Sequence, residues 1–217
     1  MPPSLPVELR YIAVEGVIGA GKTSLARLLA DRLEARLILE AFEENPFLPR
    51  FYEDPARYAF HTQLAFLASR YRQQLELRKL DLFAHQVVSD YLFDKDRIFA
   101  HLNLQGEELA LYEALFALMV TQVPIPDLVV YLRASVDRLL ENIRRRGRPY
   151  EQHISREYLE ALAQAYDFHF LRYRRSPLLI VDVTELDFVH HPRDRDLLLE
   201  QILYRPHRGT EYLTLSG

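Results

Sequence analysis

Five short apolar runs punctuate the chain, at 10–14, 36–39, 87–89, 128–132 and 178–183. Each is too short for a helix and too continuously apolar for a half-exposed strand, so each predicts a strand buried on both faces. Between them apolar positions recur at helical spacing over 23–34, 56–82, 106–122, 135–146 and 155–175. Strand and helix in alternation predict right-handed crossovers. The fold class is therefore α/β, a five-stranded parallel sheet with helices on both faces. Pro124 and Pro126 interrupt the pattern before the fourth run and Pro177 before the fifth. Helix 106–122 is apolar almost all round, from Leu109 and Leu111 through Leu115, Phe116 and Leu118 to Met119 and Val120. That predicts burial on more than one side and a helix-to-helix homodimer face. A last helix is expected around Arg193–Glu200, and residues 205–217 read as loosely structured.

Composition narrows the class. A chain of 217 residues with 49% hydrophobic and 27% charged content suits one domain, residues 1–217, with its core at 10–190 and a C-terminal extension over 191–217. The net charge of −4 provides no global field toward nucleic acid or an acidic membrane, so neither is expected as a partner. No cysteine is present, which excludes disulfides, thiolate metal sites and cysteine nucleophiles. No apolar run approaches the ~18 residues of a membrane span. Met1-Pro2-Pro3-Ser4 has neither the basic nor the apolar region of a secretory signal, so a cytoplasmic location is expected. Only three of the 27 basic residues are lysines (Lys22, Lys79, Lys95), a bias toward arginine that GC-rich coding or heat adaptation can produce.

The chemistry begins directly after the first strand, at Gly16-Val17-Ile18-Gly19-Ala20-Gly21-Lys22-Thr23. This octet fits G-x-x-x-x-G-K-[ST] in the strand–loop–helix context that the phosphate loop requires. Three of the chain's seven glycines stand here, where the backbone must curl so that its N–H groups point at phosphate oxygens. Lys22 supplies a positive charge for the β- and γ-phosphates, and the Thr23 hydroxyl can ligate Mg²⁺. The helix opening at Ser24 aims its positive dipole end at the same anion. Gly16, Gly19, Ala20, Gly21, Lys22, Thr23 and Ser24 are accordingly the candidate ATP contacts.

Two further clusters narrow the reaction. Glu40 closes the second strand, at the sheet end that faces the ligand crevice; it can accept a proton from a hydroxyl being phosphorylated, or simply cap a strand end. Arg144-Arg145-Arg146-Gly147-Arg148 leaves a helix beside Pro149-Tyr150-Glu151. It reads as an arginine-rich lid over about 144–152, as a basic helix end complementing the dipole, or as a nucleic-acid patch.

Spaced blocks in a fixed order carry a resemblance. They are Ile12-Ala13-Val14-Glu15-Gly16 into the phosphate loop, Leu39-Glu40 with Glu44-Asn45-Pro46-Phe47-Leu48, and Phe51 through Gln63. Ser69-Arg70-Tyr71-Arg72, Arg146 through Glu151 and Asp182 through Phe188 follow. Over roughly residues 10–190 the chain resembles the deoxyribonucleoside kinases that act on deoxycytidine, deoxyguanosine and deoxyadenosine, the bacterial purine branch above all. The resemblance implies a phosphate-loop kinase fold, ATP as donor and Mg²⁺ as cofactor. It makes Glu40 the base for the 5′-hydroxyl, and Gln63 and Arg70 the contacts to the nucleobase. Tyr52 and Glu151 would hold the 3′-hydroxyl, Arg146 and Arg148 would reach the donor phosphates, and Asp187 and Phe188 would meet the donor adenine.

One departure stands out. After the third strand the family usually has an acid followed by arginine and serine; here the segment reads Ser89-Asp90-Tyr91-Leu92. Asp90 keeps the acid for Mg²⁺, but a phenol at Tyr91 carries no charge at pH 7 and cannot reproduce a guanidinium. Either Arg70 or a lid arginine is expected to take over, or the phosphoryl acceptor is held differently. A one-residue gap also leaves Asp94 and Asp96 as rivals for the acid that contacts the base. Purine specificity is the expectation, with pyrimidines open. A nucleoside monophosphate kinase of the thymidylate type is the enzymatic alternative, and a phosphate-loop switch the non-enzymatic one. The guanine-reading N-K-x-D of such switches does not occur.

Overall fold

The computed structural model describes residues 9–41, 44–79 (side chains as far as 77), 86–148, 151 and 154–215. Met1-Pro2-Pro3-Ser4, positions 80–82 of the second predicted helix, Pro149, Tyr150 and Gln152 of the predicted lid, and residues 216–217 lie outside these.

Strands and helices alternate as the apolar runs require. The order is β1 (Tyr11–Gly16), α1 (Lys22–Leu33), β2 (Arg36–Ile38), α2 (Leu48–Glu53), α3 (Pro55–Lys79), β3 (Val87–Ser89), α4 (Lys95–Asn103) and α5 (Gly106–Val120). Then come β4 (Leu128–Arg133), α6 (Val136–Arg146), α7 (Arg156–Phe170), β5 (Leu178–Asp182), α8 (Pro192–Leu203) and β6 (Thr210–Thr214). The strands form one parallel sheet in the order β2-β3-β1-β4-β5-β6. From β1 the chain first builds one half of the sheet and then, at β4, the other. The crevice where the direction reverses, beyond the C-terminal strand ends, is where such sheets bind ligands.

The sheet has six strands, not five. Residues 205–217 are not loose throughout, because Thr210–Thr214 pairs with β5 from Leu178↔Thr210 to Asp182↔Thr214. This edge strand is only half covered, with Tyr212 exposed, so it lacks the continuous apolar run that marked the other five. α7 stops at Phe170 instead of reaching 175. Its last carbonyls are met by arginines: Arg172 Nη1 donates to Phe168 O at 3.1 Å and Arg174 Nη1 to Leu171 O at 3.1 Å. The short helices α2 and α4 had no separate signal.

Two apolar cores result. The larger fills both faces of the sheet, with α1, α6, α7 and α8 over it. The smaller joins α2, α3, α4 and α5 through Phe51, Leu67, Phe93, Tyr112 and Phe116. α5 is not buried on more than one side here: Tyr112 and Phe116 are covered, whereas Leu111 and Leu118 are 51% and 73% exposed. Among the described residues no helix is long and apolar enough to cross a membrane.

On the α7 side of the sheet, Tyr131 of β4 stacks on Phe170 with ring centroids 4.5 Å apart and planes at 15°. Both rings are fully buried. Phe170→Ala is expected to lower stability by about 3–5 kcal/mol, the usual cost of emptying an aromatic site. Urea unfolding will show this as a lower midpoint at unchanged slope.

Candidate active site

The C-terminal ends of β1, β2 and β3 bring three polar segments together. Gly16 ends β1 and opens the phosphate loop, Glu40 lies two residues beyond β2, and Asp90 follows β3 directly. They border a cavity of about 530 Å³, a size that accommodates a small-molecule ligand.

Gly19 and Gly21 adopt φ of +88° and +95°, a region glycine enters without strain. They turn the backbone into the N-terminus of α1, for which Gly21 is the cap. Lys22 folds back over this turn, its Nζ donating to the carbonyls of Gly16 (2.8 Å) and Val17 (3.2 Å). Burial pushes the Lys22 ammonium down to about 8, and the Lys95 charge nearby acts in the same direction. Asn142 of α6 braces the loop from outside by donating to Gly19 O at 2.8 Å. Glu15 braces it from beneath: its fully buried carboxylate accepts the N–H groups of Gly16 (2.9 Å) and Leu92 (2.8 Å).

Glu40 is held at both ends. Its backbone N–H donates to Asp90 Oδ1 at 2.7 Å. Its carboxylate receives Arg70 at Oε1, with Nε at 2.9 Å and Nη2 closer, and Lys95 Nζ at Oε2, 2.5 Å away. Burial alone would raise this carboxyl, but the Lys95 and Arg70 charges override it and hold it well below the usual carboxylate range. Arg70 turns its remaining amine, Nη1, to Asp96, which also accepts the Tyr112 hydroxyl at 2.9 Å. Its guanidinium lies 4.6 Å from the centroid of the Phe66 ring.

Asp90 spans the gap to the loop, its Oδ2 accepting the Thr23 hydroxyl at 2.6 Å. A hydroxyl and a carboxylate converging beside a phosphate cradle are hard oxygen donors, the set Mg²⁺ takes when phosphates and water complete its shell. No group of three acidic or histidine residues able to hold a metal occurs among the described residues. Thr23 and Asp90 are thus the protein donors available, and they fit.

α2 and α3 form the opposite wall, with Tyr52 and Gln63 facing the cavity. Gln63 is 2% exposed, and its Oε1 has no hydrogen-bond partner among the described residues, so a buried acceptor awaits a donor. Across the mouth, Arg146 grips Glu151 with Nε at 3.0 Å and Nη2 at 2.6 and 2.5 Å, while Arg148 Nη1 lies 3.4 Å away. Asp187 and Phe188 border the loop side, the Phe188 ring lying flush against Gly21.

Most of the residues read from the sequence therefore meet around one cavity; Gly16, Asp94 and Asp96 do not line it. Asp94 is drawn to Arg175, at 3.0 and 3.3 Å, whereas Asp96 is fully buried and holds Arg70, which does line the cavity. Tyr91 is fully buried and turned from the cavity as well. Sequence reasoning missed Lys95 and Glu15. Glu15 had a signal, a carboxylate inside an otherwise apolar strand. Lys95 had none, since its partner Glu40 is 55 residues away.

The deoxynucleoside kinase family model matches residues 12–205 of the chain. The chain is 35% identical over 189 residues to a deoxyguanosine kinase of Bacillus subtilis, covering 85% of this chain and 91% of that one. It is 29% identical over 208 residues to a deoxyadenosine kinase of Lactobacillus acidophilus, covering 89% and 95%. A solved structure of deoxyadenosine kinase from M. mycoides with bound dATP matches with a TM-score of 0.77 at 26% identity, covering 88% of this chain and 98% of that one.

A Cβ on Gly19 would lie 2.8 Å from the Leu139 carbonyl oxygen, in a backbone conformation that side chains disfavour. Gly19→Ala is expected to cost about 1–3 kcal/mol of stability. Denaturant titration of the purified variant measures it.

Proposed function

This chain belongs to the deoxynucleoside kinase family, and on that premise we propose that it moves the γ-phosphoryl group of ATP to the 5′-hydroxyl of a purine deoxyribonucleoside in nucleotide salvage. The acceptor is deoxyguanosine or deoxyadenosine, the substrates for which the Bacillus subtilis and Lactobacillus acidophilus relatives above are named. The observation that carries the reading is a single cavity shared by Glu40, Gln63 and Arg70 on one side and Lys22 of the phosphate loop on the other. Acceptor and donor groups thus face each other across one space.

The donor triphosphate lies in the N–H cradle of residues 16–24, with Lys22 exchanging its carbonyl partners for phosphate oxygens. The acceptor hydroxyl donates to the Glu40 carboxylate. Its oxygen bonds to the γ-phosphorus as the bond to the bridging oxygen breaks, ADP leaves, and the hydroxyl proton passes to Glu40 and on to water. A weak base suffices in a loose transition state, where the proton departs late and positioning does most of the work. Magnesium held by Thr23 and Asp90 would neutralise charge on the β- and γ-phosphates. Arg146 and Arg148 form the lid that adds to this neutralisation, and Glu151 with Tyr52 takes the sugar 3′-hydroxyl. Asp187 and Phe188 border the donor base.

Gln63 offers both a donor and an acceptor to one edge of a base, and its buried, unpartnered Oε1 favours a base that presents a donor there. The exposed apolar stripe of α5, including Leu111 and Leu118, suits a second copy of the chain and supports a homodimer as part of this reading. A competition assay with mixed deoxynucleosides and Mg-ATP is expected to favour a purine over thymidine by at least about tenfold, one discriminating buried hydrogen bond. Thymidine winning would overturn the purine assignment. Glu40→Gln is expected to lower kcat by about 10²–10⁴-fold while nucleoside binding, followed by calorimetry, persists.

A further inference from the structure

Lys95 sits where a lysine is least favourable for the fold. It is the first residue of α4, at the positive end of the helix dipole. It is 6% exposed, and it lies close enough to Lys22 for the two charges to repel. Its hydrogen-bond partner among the described residues is Glu40, and its ammonium also lies 5.7 Å from the centroid of the Phe99 ring. Composition points the same way. Only three of the 27 basic residues are lysines, yet two of them, Lys22 and Lys95, line this cavity. A compact ammonium on a flexible stem does what a forked guanidinium cannot, which is to change partners within a small space.

The neighbouring arginines are not free to do so. Arg70 is fixed between Glu40 and Asp96, and Arg146 is engaged by Glu151. Tyr91 is buried away from the cavity. We propose that Lys95 is a catalytic residue of the transfer itself: its ammonium passes from Glu40 to the oxygens of the moving phosphoryl group, bridging acceptor and donor. The balance is unchanged by this. The 5′-oxygen bonds to phosphorus, the bridging bond breaks, and the hydroxyl proton goes to Glu40, while Lys95 keeps its own protons throughout. As Lys95 leaves, Glu40 loses one of the two cations holding it at the moment it receives that proton.

The inference rests on the kinase reading, so wild-type turnover of a purine deoxynucleoside with Mg-ATP is measured first; its absence would sink both, whereas turnover that the Lys95 variants leave intact sinks this inference alone. Lys95→Met keeps the stem and removes the charge. It is expected to lower kcat by about 10²-fold or more, with nucleoside affinity by calorimetry within about threefold of wild type. Lys95→Arg is expected to recover at least tenfold of that loss. The decisive arm adds Lys95→Met to Glu40→Gln. If Lys95 touches the phosphoryl group, kcat falls at least a further tenfold; if it only positions Glu40, the second change adds nothing and the proposal is overturned. A Lys95→Met enzyme within threefold of wild-type kcat overturns it as well. Should Lys95→Met not fold, Lys95→Gln takes its place in every arm, with the same outcomes deciding.

Discussion

The site depends on keeping one buried carboxylate charged. Glu40 lies in a region where an isolated anion would neutralise itself, and it remains ionised because Arg70 and Lys95 reach it from two different helices. Buried ion clusters contribute little net stability, since desolvation consumes most of the Coulomb gain. The apolar sheet and its helices must therefore supply the folding free energy, and the cluster is kept for what it does. Because α3 carries Arg70 and α4 carries Lys95, the spacing of those helices sets the geometry of the base. That explains why a second core, under α2 to α5, stands beside the sheet.

Glu15 connects the two halves of this arrangement. Its carboxylate takes one N–H from the start of the phosphate loop and one from Leu92, in the segment between Asp90 and Lys95. Burial pushes its carboxyl up, so the two backbone donors and the charges of Lys95 and Lys22 work against a real desolvation cost. The donor cradle and the acceptor-side cations thus share one anchor.

How far the sequence could be read follows from which constraints are local. The phosphate loop was legible because eight consecutive residues must satisfy one backbone geometry, and the four inner strands because burial on both faces leaves an unbroken apolar run; β2, the other edge, carries such a run although it is only partly covered. β6 was not legible, since an edge strand alternates and imitates a polar tail. Lys95 and its partner are brought together only by tertiary structure. Asp94 and Asp96 differ by two positions at the start of a helix, roughly 200° around its axis, so they face opposite ways. No alignment by spacing could have told which one turns toward Arg70. The arginine missing at Tyr91 marked a gap, and Lys95, four residues further on, is a cation that reaches Glu40.

The lysine of the loop has a thermodynamic consequence of its own. By donating to the carbonyls of Gly16 and Val17, Lys22 staples the turn in its curled shape. On the proposed reading, an arriving polyphosphate meets a concavity that is already ordered, and the ammonium trades two acceptors for others. A floppy glycine loop would instead have to freeze on contact, at about 1–2 kcal/mol of backbone entropy per residue. Much of that ordering cost is met during folding, so the heat of nucleotide capture reflects partner exchange more than chain ordering.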